Sequence, residues 1–148
     1  MAKIIALCLA SATLFAPSAF SACAAGSKTL FACTTAKGKV VEVCDAGKTI
    51  TYSFGSPKTK PEIALAVPRD KATTYQWEGI GRYMSYAVDI PNGSTTYSVF
   101  IGMDRLSEAH AVEAGVNLLD NGKLLATVKC TDKNLIGNLE GVKLSKTS

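Results

Sequence analysis

Hydrophobic and polar residues alternate most clearly from Arg82 to Ile101, RYMSYAVDIPNGSTTYSVFI. Asn92-Gly93 divides this run in two. Asn-Gly favours a two-residue type I′ hairpin, because both central residues must take positive φ. A turn there sets Ile90 against Thr95, Val88 against Tyr97, Tyr86 against Val99 and Met84 against Ile101. These residues make one apolar face. Ser85, Ala87 and Asp89, with Thr96, Ser98 and Phe100, make the other. An antiparallel sheet with one side on a core needs this division. A one-residue slip would turn the apolar set to water.

Shorter runs of the same kind fill the rest of the chain. Thr29–Thr35 and Val40–Cys44 read as two strands around Ala36-Lys37-Gly38-Lys39. Thr49–Phe54 points Ile50, Tyr52 and Phe54 inward. Glu62–Val67 does the same with Ile63, Leu65 and Val67. Thr73–Trp77 puts Tyr75 and Trp77 on one face. A second Asn-Gly corner, Asn121-Gly122, sets Leu118 against Leu125 and Leu119 against Leu124. Leu135–Leu144 holds a last short strand or two, and the final Ser-Lys-Thr-Ser reads as a frayed tail. One stretch, Gly102–Gly115, departs from period two. It predicts a short helix near residues 105–114, capped by Ser107 and ended by Gly115. Leucines on both faces of the second hairpin suit a strand between the core and this helix. The pattern as a whole predicts an all-β fold, an antiparallel sandwich or small barrel of about eight strands.

The first residues follow another logic. Lys3 precedes an apolar stretch from Ile4 to Ala16, and Pro17 stops it. Ala19 and Ser21 place small residues at −3 and −1 of a cleavage site before Ala22. Residues 1–21 therefore read as a secretory signal peptide and residues 22–148 as a single β domain. That length suffices for one hydrophobic core. With Lys3 gone, 16 Lys and Arg become 15 against 12 Asp and Glu, a net charge of about +3. The basic residues are scattered, without an aromatic-interleaved stripe, so nucleic acid is not the expected partner. No later run reaches membrane length.

Export changes the meaning of the cysteines. Cys8 leaves with the signal; Cys23, Cys33, Cys44 and Cys130 remain and suit two disulfides. A two-residue Gly38-Lys39 turn would set Cys33 opposite Cys44 and leave Cys23 with Cys130. The rival pairs Cys33 with Cys130. Both stay open on the residues alone. Phe20-Ser21-Ala22-Cys23 loosely matches a lipoprotein box, but Phe suits its first position poorly. Acylation of Cys23 would also orphan one thiol, so soluble export to the periplasm or medium is preferred to a lipid anchor.

Candidate chemistry is sparse. His110 is the one histidine, and Asp104, Glu108 and Glu113 lie near it. Neither Asp104 nor Glu108 stands four residues before it, so a solvated face is preferred to a metal site. Glu62, Glu78 and Asp89 are acids without a motif. No nucleophile elbow appears, and Gly79-Ile80-Gly81 precedes a strand, not the helix a phosphate loop needs. No catalytic residue, cofactor or metal is expected; a binder is preferred to an enzyme. Trp77, Arg82, Tyr83, Tyr86 and Tyr97 supply residue types that dominate protein interfaces. Tyr86 and Tyr97 share the apolar face and are assigned to packing. Tyr83 stands with Ser85 on the polar face.

Phe31-Ala32-Cys33 on the first strand, a Cys on a late strand at Cys130, and a Gly-containing loop with Ser and Tyr between them resemble the bacterial periplasmic or membrane-bound lysozyme inhibitors. The resemblance implies a small β protein that pushes a loop into a lysozyme's cleft. That family's loop reads Ser-Gly-x-x-Tyr. Here Gly79-Ile80-Gly81-Arg82-Tyr83 supplies Gly79 and Tyr83, with Ser85 a displaced hydroxyl; the Ser-Gly pair is not intact. With Gly81 and Arg82 of the same loop added, the expected partner-binding residues are Gly79, Gly81, Arg82, Tyr83 and Ser85, with Arg82 within reach of a catalytic carboxylate. Matching Cys33 to the family's first Cys implies Cys33–Cys130 and Cys23–Cys44. The resulting expectation is an exported inhibitor of a lysozyme or other wall hydrolase. An immunity protein against a secreted toxin, or a structural or adhesive surface subunit, is the alternative.

Overall fold

The computed structural model describes residues 23–148. The expected signal peptide and its cleavage point lie outside the described residues. Eleven strands form two sheets packed face to face: β1 (Lys28–Thr34), β2 (Val40–Asp45), β3 (Thr49–Gly55), β4 (Ile63–Pro68), β5 (Thr73–Gln76), β6 (Tyr83–Asn92), β7 (Thr95–Asp104), β8 (Val112–Asp120), β9 (Lys123–Lys129), β10 (Ile136–Gly137) and β11 (Ser145–Lys146). The first sheet runs β10-β1-β2-β3-β4 and the second β11-β5-β6-β7-β8-β9. Each is a meander with one late short strand added at its edge. Every pairing is antiparallel except β11 with β5. Ser145 and Lys146, expected to fray, are thus held beside Thr73 and Thr74. Of the two architectures expected, the sandwich is the one formed.

Phe31, Cys33, Val41, Val43, Ile50 and Tyr52 of one sheet meet Val88, Ile90, Val99, Ala114 and Val116 of the other. Tyr52 and Tyr97 stack across this interface with ring centres 4.8 Å apart. A bulge between Thr29 and Phe31 turns two successive side chains, Leu30 and Phe31, into the core. Leu139, outside any strand, is fully buried between the sheets. Among the described residues no buried side-chain polar atom lacks a partner.

The turns refine the expected registers. In the central hairpin Asn92 pairs with Thr95, so the corner is Gly93-Ser94. Gly93 takes φ +63°, and neither Asn92 nor Ser94 is positive, the signature of a type II′ turn. Only one residue then needs left-handed backbone. Ile90 faces Tyr97, Val88 faces Val99 and Tyr86 faces Ile101. Apolar residues meet apolar residues where the expected register set Ile90 on Thr95. The shift is two residues, so the buried face is unchanged. At the first hairpin the loop is residues 36–38. Gly38 has φ +74°, and Thr35 N–H donates to Lys39 O at 2.8 Å. Cys33 therefore stands opposite Val41, not Cys44. The disulfides are Cys23–Cys44 and Cys33–Cys130. The Cys23 sulfur is taken up by Cys44.

The helix expected near 105–114 does not form. β7 continues to Asp104, and β8 begins at Val112 opposite Met103. Ser107 does act as a cap: its Oγ accepts from His110 N–H at 3.2 Å. His110 then turns left-handed at φ +44° and ends the single turn. Two turns of isolated helix are marginal, and nine paired residues between β7 and β8 outweigh them. Gly102 and Gly115, expected as helix boundaries, lie inside β7 and β8. No described helix is long and apolar enough to cross a membrane.

Candidate functional site

Two loops at one end of the second sheet meet. The first, residues 77–82, joins β5 to β6; the second, residues 105–111, joins β7 to β8. Gly79 and Gly81 take φ +86° and +90°. Only glycine adopts such backbone at little cost, and a Cβ at either would touch nothing within 4 Å. The requirement is conformational, and its effect is to swing Ile80 outward, 84% exposed. Trp77 Nε1 donates to Ile80 O at 2.9 Å and pins the excursion.

The second loop is braced against the first. Arg82 grips Asp104 through Nε at 3.0 Å and through its NH2 group. Arg105 N–H donates to Arg82 O at 2.8 Å. The Arg105 guanidinium lies 4.7 Å from the centre of the Trp77 ring, within cation–π range. Asp104 Oδ1 also accepts from Leu106 N–H at 3.0 Å. This presents Leu106 at 71% exposure.

The charged groups show the same bracing. The Arg82 guanidinium, followed by the Leu106 N–H, holds the Asp104 carboxyl below the usual carboxylate range. Asp104 in turn raises Arg82. Partial burial, then the hydrogen bond to Glu113 at 3.1 Å, pushes the Tyr83 phenol up. Glu78 is lowered by its ion pair with Lys146 at 2.7 Å. A groove of about 270 Å³ runs beside Ile80, lined by Tyr75, Gln76, Glu78, Lys146 and Thr147 among others.

The expected site residues divide into two groups. Gly79, Gly81 and Arg82 build the loop pair. Arg82 does so by engaging Asp104, so it is not the free cation expected to seek a partner's carboxylate. Tyr83 is 42% exposed on the outer sheet face, and its hydroxyl is already engaged. Ser85 lies further along that face, directly opposite Gly102. The exposed tips are Ile80 and Leu106. Neither is among the residues expected from the sequence, although an isoleucine between two glycines, outside any strand period, is a usable signal.

The acids do not act in concert. Glu62 pairs with Lys39 at 2.7 Å, and Asp89 accepts from Thr147 Oγ1 at 2.7 Å. The described cluster of three potential metal ligands is Cys23, Glu42 and Cys44. Its two sulfurs are bonded to each other, which removes the thiolates a metal would need.

No protein-family model, no curated protein and no solved structure matches this chain.

Proposed function

We propose that this chain is an exported binding protein that blocks a cell-wall-degrading enzyme, seating the Ile80 and Leu106 loop pair in the enzyme's cleft. The observation that carries the reading is the exposure of these two side chains on adjoining, mutually braced loops. An apolar tip on a preorganised loop loses little conformational entropy on docking. The neighbouring Trp77, Arg105 and Tyr83 are of the types that anchor interfaces. Two disulfides suit an oxidising compartment, where a wall hydrolase would be met. The resemblance to lysozyme inhibitors supplies the target class, with the apolar tips in place of the expected Ser and Tyr.

The test is lysis of bacterial cells by a panel of lysozymes with and without equimolar protein. Inhibition of at least one is expected, lost in the Ile80→Asp/Leu106→Asp variant while its melting temperature is unchanged. Absence of inhibition across the panel would overturn the wall-hydrolase target. A structural or adhesive role is the second reading, favoured by the open edge of β9.

A further inference from the structure

The second sheet ends at β9, KLLATVK, and nothing among the described residues pairs with its outer edge. All seven residues are exposed, with Leu124 at 55% and Leu125 at 58%. The other sheet edges are smaller openings. β10 and β11 have two residues each, and β4 has six but is bounded by Pro61 and Pro68. β9 holds no proline. A bulge at Leu118/Leu119 sets Leu119 opposite Leu124 but Leu118 opposite Ala126, leaving Leu125 as the extra residue. The helix that would have covered these leucines is not there.

The strand is also fixed at both ends. Asn121 and Gly122 take φ +46° and +80°, and Asn121 N–H donates to Ser94 O at 2.9 Å. At the far end Cys130 is bonded to Cys33, and Thr131 N–H donates to Thr34 O at 2.8 Å. A fixed, open edge is a preformed template for strand addition.

Its ends decide what it accepts. Lys123 and Lys129 bracket the apolar middle. A second copy paired antiparallel over the full length would set Lys123 against Lys129 twice; parallel pairing would set each lysine on itself. Like charges directly opposed destabilise a ladder, and lysine on an edge is a known guard against self-pairing. We propose that β9 binds an extended segment of another protein, about seven residues long, with acidic side chains at both ends and apolar ones between. This surface is separate from the loop pair, and the proposal stands independently of the target named above.

The probe is a seven-residue peptide of alternating Val and Thr with Glu at both ends. Its control carries Lys at both ends. Binding to the full exported protein is followed by fluorescence anisotropy and by amide exchange of residues 123–129. The Glu-ended peptide is expected to bind about tenfold more tightly than the control, since two attractive end pairs replace two repulsive ones. The β9 amides should slow on binding. The Lys123→Glu/Lys129→Glu variant, which alters only exposed positions, should reverse the preference. Equal binding of both peptides, or of neither, would overturn the proposal. So would self-association that protects the β9 amides, which would assign the edge to a second copy.

Discussion

Phe100 of β7 lies directly opposite Gly115 of β8, with its ring in the space a side chain there would fill. A Cβ at residue 115 would meet the ring at 3.3 Å and press into the Val128 carbonyl oxygen of β9. Glycine inside a strand often marks such close approach. Gly102 repeats the arrangement: a Cβ there would stand 2.9 Å from Tyr83 Cε1 and 2.9 Å from the Met84 carbonyl.

Gly115→Ala should therefore destabilise the protein by about 1–3 kcal/mol, the usual cost of overpacking. The backbone of β9 must move, so its amides should lose protection before those of β6. Urea denaturation with amide exchange measures both. An unchanged midpoint would show that β9 yields freely.

These two glycines also explain why the stretch from residue 102 to residue 115 misleads when read by period. Glycine at each end and Ser107 near the start look like helix punctuation. Their actual task, letting Tyr83 and Phe100 lie across the sheet, depends on neighbours distant in sequence. Period two did reveal the buried faces, because alternation is a local consequence of one wet side. Ile50 and Tyr52, and Val88 and Ile90, are buried as their pattern implies. Turn type was less legible: Asn92-Gly93-Ser94 admits two corners, and cross-strand packing chose between them. The loop pair was legible only in part. Gly79 and Gly81 announce a backbone excursion, but the Arg82–Asp104 and Trp77–Arg105 contacts span residues more than twenty apart.

The two disulfides close loops of different length, with sequence separations of 97 for Cys33–Cys130 and 21 for Cys23–Cys44. In the chain-entropy account, removing the first costs about 5 kcal/mol and the second about 3 kcal/mol. Replacing each pair by alanine and comparing urea midpoints should give that order. Cys33 is also fully buried, so its removal adds a packing loss. The reverse order would mean that the native contacts of Cys23, not loop length, dominate.

Asp104 gives the loop pair a pH dependence. Its carboxyl is held down first by Arg82 and then by the Leu106 N–H. A depressed carboxylate contributes its stabilisation above its ordinary value of about 4, and the contribution is lost as pH falls through the depressed value. Amide exchange at Leu106 and Arg105 should therefore stay slow at neutral pH and accelerate, beyond the intrinsic trend, below about pH 4. Asp104→Asn should loosen both loops at neutral pH and flatten the profile. A profile identical to that of the unaltered protein would show that the Arg105–Trp77 contact and the Arg105 N–H to Arg82 O bond brace the loops without Asp104.

The segment carrying Leu139 offers the sharpest test of how the sandwich is closed. Leu139 is fully buried without belonging to a strand. Gln76 holds it there: Nε2 donates to Leu139 O at 2.8 Å and to Thr74 Oγ1 at 2.9 Å, while Oε1 accepts from Gly141 N–H at 2.8 Å. Gln76→Ala leaves the Leu139 carbonyl only the longer bond from Val142 N–H at 3.4 Å and takes away the acceptor of Gly141 N–H, at a cost of about 1–3 kcal/mol. Leu139→Ala opens a cavity, at about 2–5 kcal/mol. If the amide and the leucine act together, the double variant should lose less than the sum of the two, by about 0.5–3 kcal/mol. Gln76→Glu should not rescue, because a carboxylate sets an acceptor against the Leu139 carbonyl. Strict additivity in urea unfolding would mean that Leu139 is buried by its own apolar surface and that Gln76 merely follows it.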